Sequence, residues 1–222
     1  MNQIIFYCYN NKDEHYTKNK KVSHKKGNKK IFMVQFIISS CFLTILILLY
    51  LLYLYDRNKY TSLSKEIENN FSITSLYSNN SSYSINKVDY TSGFPVVGLI
   101  EIKKLELKYP IFEYTNEELL KIAPCRFYGP MPNENGNLCI AGHNYDNNSL
   151  FSNLYKLNIN DEIVIYDIYK NYKIYYVYDK FEVEPSKIDS ALQNAKSEKE
   201  ITLLTCNNKN GNRIIVKATQ KA

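Results

Sequence analysis

Hydrophobic and polar positions divide the chain into stretches of different kinds. Residues 31–55 hold 25 consecutive positions without a charge, and their apolar side chains fall on every face of a helix. A helix of that length spans about 37 Å at ~1.5 Å per residue, more than the roughly 30 Å hydrocarbon core of a bilayer. A core helix of a globular domain keeps a polar face, and this segment has none, so it predicts a single transmembrane helix. Residues 1–30 are polar and basic, the composition of a disordered tail. Residues 56–92 are rich in Ser, Asn and Tyr and predict a stalk, helical at first around residues 62–69. From residue 93 the pattern changes to short alternating runs separated by turn residues, the signature of β-strands. Strands are predicted over 96–102, 105–112, 138–141, 163–167, 172–183, 201–205 and 213–219, with turns at 168–171 and 207–212. Thr115-Asn116-Glu117-Glu118 is a capping box opening a short helix to residue 122, and a second helix is predicted over 186–195 after Pro185. Roughly seven or eight short strands with few helices predict a mostly-β domain over 93–222, a closed or nearly closed barrel.

Charge adds an orientation. Residues 18–30 carry seven lysines and no acid, whereas Asp56-Arg57-Asn58-Lys59 on the other flank is balanced. The positive-inside bias places the N-terminus in the cytoplasm and the bulk of the chain outside the cell membrane. No small-x-small cleavage site follows the apolar run, so the segment reads as a retained anchor. The net charge of +6 lies wholly within residues 1–55, because residues 56–222 hold 20 basic and 20 acidic side chains. A neutral outer domain has no electrostatic footprint for nucleic acid.

Residues 56–222 contain three cysteines, Cys125, Cys139 and Cys206, and one histidine, His143. Cys125 and Cys139 can pair or can both be reduced. With no C-x-x-C pair and one histidine, a zinc site is not expected. Cys206 ends an apolar strand just before a polar turn, which gives a nucleophilic sulfur a mouth to solvent. His143 carries a side chain that titrates near neutrality and can shuttle a proton. Arg213 is one of three arginines against 25 lysines, and its planar donor fork can hold a substrate carbonyl or an oxyanion. Any one of these residues alone is more often a packed cysteine, a turn histidine or a surface cation. Together they have the parts of a thiol acyl-transfer site.

The run Thr202-Leu203-Leu204-Thr205-Cys206, followed by Asn212-Arg213-Ile214-Ile215-Val216-Lys217-Ala218, resembles the signature of the sortases. The stretch Gly136-Asn137-Leu138-Cys139-Ile140-Ala141-Gly142-His143-Asn144 resembles the segment that carries the sortase histidine. The likeness runs from about Gly98 to Lys217. It implies an eight-stranded β-barrel behind a membrane anchor and a cysteine transpeptidase of Gram-positive bacteria. The implied substrate is a secreted protein with a C-terminal Leu-Pro-x-Thr-Gly-like sorting signal, cleaved between Thr and Gly. The acyl group then passes to an amine of a peptidoglycan precursor or a pilin. Carried onto this chain, the resemblance makes Cys206 the nucleophile, His143 the acid/base and Arg213 the oxyanion or substrate stabiliser. Thr205 and Ala141, next to them, are the expected substrate contacts.

Two positions depart from the family pattern: Lys103 stands where proline is usual, and Asn160-Asp161 replaces Gly-Asp. The short span between His143 and Cys206 leaves no room for the class B insertion, and the stalk has no Asp-Pro-aromatic lid, so a class A- or D-like enzyme is expected. No cofactor is required. Calcium, which some sortases bind near the loop before the last strands, would draw here on Glu182, Glu184 and Glu113. Papain-like wall peptidases place Cys before His, and L,D-transpeptidases set Arg almost beside Cys; here His143 comes first and Arg213 lies seven residues past Cys206. A non-catalytic barrel that binds a wall partner is the other alternative.

Overall fold

The structure is a computed structural model that describes residues 29–77, 92–145, 147–188 and 197–220. The predicted tail, the stalk beyond residue 77 and the body of the second predicted helix, 189–195, lie outside the described residues. The chain divides into two units at Leu51/Leu52. Helix α1, Lys29–Tyr77, runs through that division. Over its first part the large apolar side chains are exposed, Phe36 at 76% and Ile38 at 63%. This helix is long and apolar enough to cross a membrane.

Within the second unit the helix changes character. Tyr60, Leu63, Ile67 and Phe71 recur at spacings of three and four residues and therefore share one face. Ile67 and Phe71 are buried against Val96, Leu99, Phe112 and Ile122. Burying each such side chain contributes on the order of 1.5–3 kcal/mol. Lys108 reinforces the contact by pairing with Glu68 at 3.0 Å. Residues 56–77, read from composition as stalk, are thus a continuation of α1 that packs along part of its length. Serine and asparagine between these positions hide the stripe from a compositional reading, and one of them, Ser64, is itself buried on that face.

Eight strands form the barrel: β1 Val96–Ile102, β2 Leu107–Phe112, β3 Cys125–Tyr128, β4 Gly136–Ala141, β5 Glu162–Asp167, β6 Tyr172–Val183, β7 Lys199–Cys206 and β8 Arg213–Gln220. They close in the order β1-β2-β3-β4-β7-β8-β6-β5. Alternation decides which side chains go inside: Ile201 and Leu203 of β7 join the interior core, whereas Leu204 falls in a separate outer cluster with Ile215. Most neighbours are antiparallel, but β4 and β7 run parallel over six residue pairs, from Gly136↔Lys199 to Ala141↔Leu204. Their C-terminal ends therefore reach the same rim.

Helix α2, Glu117–Ile122, is capped by Asn116, whose side chain accepts from the Leu119 N–H at 2.7 Å. The cap sits one residue later than the capping box beginning at Thr115 requires. Asn116 has the extended backbone of a cap and directly precedes the first helical residue. The sequence pattern also missed β3. It is four residues long, Phe127 and Tyr128 are exposed, and a register shift interrupts its pairing with β4. Pro185–Lys187 is a 3-10 turn.

On the outer face of β7 and β8 the Lys217 ammonium lies 3.3 Å from the Glu200 carboxylate, and both residues are buried. Removing one partner strands the other charge in a poorly solvated place. Lys217→Met is expected to cost about 3 kcal/mol, read from the urea-unfolding midpoint. Adding Glu200→Gln should restore much of that loss.

Candidate active site

The parallel register carries the site. Ala141 pairs with Leu204, so two residues further on His143 and Cys206 come level at the same rim. Cys206 in turn pairs directly with Arg213 across the antiparallel β7–β8 ladder. His143, two residues past the end of β4, thus lies at the rim where Cys206 and Arg213 pair on β7 and β8. The pleat sends Cys206 and Arg213 to the face that carries Leu204 and Ile215, outside the interior core. There Leu204 and Ile215 pack with Ala141, Phe181, Val183 and Ile188, an apolar floor beside the sulfur.

Beyond Ala141 side chains hold the two strands together. Gly142 N–H donates to the Leu204 carbonyl at 3.0 Å, continuing the ladder one step. The Thr205 hydroxyl then donates to the Gly142 carbonyl at 2.7 Å, and the Asn144 amide donates to the Cys206 carbonyl at 2.9 Å. The Asn208 amide returns the tie by donating to the Asn144 carbonyl at 2.9 Å. Gly142 is required here, because a Cβ would stand 2.7 Å from the Phe151 ring. The Phe151 N–H donates to the His143 carbonyl at 3.0 Å, which fixes the backbone beneath the imidazole.

His143 is half-buried, and the Tyr145 ring lies 5.0 Å from its own, tilted by 36°. Burial pulls the imidazole below its ordinary value of 6.5; Lys121 acts in the same direction, while Glu117 opposes it. At neutral pH the ring is therefore mostly unprotonated and able to accept a proton. Arg213 donates through Nη1 to the Gly211 carbonyl at 3.0 Å. Among the described residues its Nε and Nη2 have no partner and remain available to a substrate oxygen.

The other two cysteines of the second unit are different. Cys125 and Cys139 are free, fully buried thiols, pushed up by burial to about 12 and about 11. Neither forms much thiolate near neutrality, whereas Cys206 is partly exposed. Thr205 is 2% exposed and its hydroxyl is engaged by Gly142, which puts it beneath the site as a brace. Ala141 borders the apolar floor, where a substrate side chain can reach it.

The acids named for calcium are otherwise engaged. Glu182 accepts from the side-chain amides of Asn207 at 2.8 Å and Asn210 at 2.9 Å, and these bonds, Asn210's first, hold its carboxyl below the usual range. Glu184 pairs with Lys187 at 3.1 Å. Among the described residues no three His, Cys, Asp or Glu side chains cluster to hold a metal ion. The Glu182 bonds instead tie the loop after Cys206 to β6. Sequence reasoning missed this tie and the Asn144 and Asn208 braces; an Asn-rich turn beside the cysteine is their only trace in the sequence.

The profile of the sortase domain matches residues 100–221, more than half of the chain. The chain belongs to the sortase family. Sortases are cysteine transpeptidases, and the closed eight-stranded barrel is the fold expected of one. Among solved structures, a sortase D5 transpeptidase of Clostridium perfringens is 29% identical, with a TM-score of 0.54 over 72% of this chain and 97% of that one. Sortase A of Listeria monocytogenes is 24% identical with a TM-score of 0.52, covering 57% of this chain and 88% of its own. Sortase C1 of Streptococcus suis is 25% identical with a TM-score of 0.51, covering 57% of this chain and 73% of that one. No curated protein matches the chain.

Proposed function

We propose that this sortase cleaves a Leu-Pro-x-Thr-Gly-like sorting signal between Thr and Gly and transfers the acyl group to an amine. The observation that carries the reading is the pairing of Cys206 with Arg213 at the rim to which the parallel β4–β7 register leads the segment holding His143. The Cys206 sulfur attacks the threonyl carbonyl while its proton passes to His143, giving a tetrahedral oxyanion held by the Arg213 guanidinium. His143 then gives that proton to the leaving glycine amine, the C–N bond breaks, and a thioester remains. An incoming amine attacks the thioester, loses a proton to His143, and leaves an amide as the proton returns to the Cys206 sulfur. The apolar floor bordered by Ala141 suits the leucine and proline of such a signal.

The long apolar helix supports a single-pass anchor over 31–55, with a cytoplasmic tail over 1–30 and the catalytic domain, 93–222, outside the cell. The region 56–92 connects them. The D5 likeness favours a class D-like enzyme over a class A-like one. Its cargo is a secreted protein with a sorting signal, and the acceptor is a peptidoglycan-precursor or pilin amine.

The decisive assay combines the purified chain, a Leu-Pro-x-Thr-Gly peptide and a glycine amine, with both products read by mass spectrometry. Absence of cleavage and transfer there would sink the reading. Arg213→Lys is expected to lower kcat/KM by about 10²-fold, since a point charge cannot reproduce the planar donor fork. Near-normal turnover by that variant would remove Arg213 from the oxyanion role.

A further inference from the structure

A cavity of about 220 Å³ lies in the second unit, between residues 53–61 of α1 and a wall from β2, α2 and the loop after His143. Nothing in the proposed acyl transfer uses it. Tyr53, Tyr60, Tyr109 and Tyr145 contribute rings, and Arg57 and Lys121 contribute cations. The cavity begins where the apolar run ends: Tyr53 lies inside the run of residues 31–55, and Asp56 and Arg57 lie just past it. On the anchored reading given above, that level is the membrane surface, where amphipathic aromatic rings collect.

Charge selects the occupant. Among the described residues the Arg57 guanidinium has no hydrogen-bond or ion-pair partner. Among the described residues Lys121 has one ion-pair partner, Glu118, whose side chain is 74% exposed. Two cations at a lipid-water boundary suit a phosphodiester, and the neighbouring Asp56 carboxylate and Ser149 hydroxyl suit the hydroxyls of a glycerol. The volume is below the roughly 300–1,000 Å³ of sites that enclose a whole drug-sized ligand. It admits a headgroup while the chains stay in the bilayer. We propose that this cavity binds the headgroup of an anionic phospholipid of the phosphatidylglycerol type. Its occupant touches Tyr145, the ring that lies against His143, so the lipid holds the base-bearing rim close to the membrane.

The test uses the full chain, carrying Cys206→Ala, in nanodiscs containing a headgroup-photoreactive phosphatidylglycerol or its phosphatidylcholine counterpart. Labelled peptides are mapped by mass spectrometry, so the result does not depend on catalysis. Peptides holding Tyr60 and Tyr145 should be labelled by the anionic lipid roughly tenfold more than by the zwitterionic one. The double variant Arg57→Gln with Lys121→Gln should lose that label about tenfold, while labelling at the lysines of residues 18–30 stays as an internal reference. Arg57→Lys should keep most of it, which separates charge loss from misfolding. Equal labelling by the two lipids, label confined to residues 18–55, or an unchanged double variant would overturn the proposal. Full displacement by soluble glycerol phosphate would overturn it too, by assigning the site to a free phosphate ester.

Discussion

Cys206→Ala abolishes both cleavage of the sorting peptide and its transfer to an amine. The expected loss in kcat is about 10⁴-fold or more, since without the sulfur no thioester forms and only binding and oxyanion stabilisation remain. The two steps must fail together, because both pass through the same acyl group. Cys125 and Cys139 cannot substitute, since both are buried and their thiols are held far above neutrality. A single-turnover assay that traps the thioester by mass spectrometry provides the check. A trapped adduct in Cys206→Ala, or undiminished turnover, would reassign the nucleophile.

His143→Gln should lower kcat/KM by roughly 10²–10⁴-fold while leaving the barrel folded. The pH dependence is the sharper readout. Burial lowers the imidazole, so its neutral form persists to more acidic pH than in a free histidine. Activity that needs the neutral ring is present above the folded value and is lost as pH falls through it. The acid limb of kcat/KM should therefore have its inflection below 6.5, and that limb should be missing in His143→Gln. An inflection above 6.5 would mean that a neighbouring acid, not burial, governs the base. Glu117 would be the first candidate, since it is the group that pulls upward.

Much of this site could be read from the chain because its parts lie at strand ends with distinctive local chemistry. Cys206 closes an apolar run before an Asn-rich turn, and Arg213 opens the next strand; a tight antiparallel connection leaves them almost no choice but to pair. The placement of His143 was less legible. It lies 63 residues before Cys206, and only the parallel β4–β7 register brings it level. Periodicity reports which face a residue takes, not which strand lies beside it. The braces were less legible still, because Thr205, Asn144 and Asn208 act through side-chain bonds to distant carbonyls. The apolar stripe of Tyr60, Leu63, Ile67 and Phe71 was visible at helical spacing, yet serine- and asparagine-rich surroundings concealed it. Short, exposed β3 carried no pattern that a strand rule could detect.

The parallel pairing of β4 with β7 has a consequence for when this protein becomes reactive. The proposed nucleophile Cys206 and its proposed cation Arg213 sit on the last two strands in chain order, and the proposed base His143 follows the end of the fourth. A chain synthesised from its N-terminus completes the segment holding His143 long before Cys206. No fragment that stops short of β8 contains all three groups. The long sequence separation of the β4–β7 contact also makes it a slow one to form. On the proposed roles, acyl transfer is therefore withheld until the whole barrel has closed, and an unfinished copy holds the three groups apart.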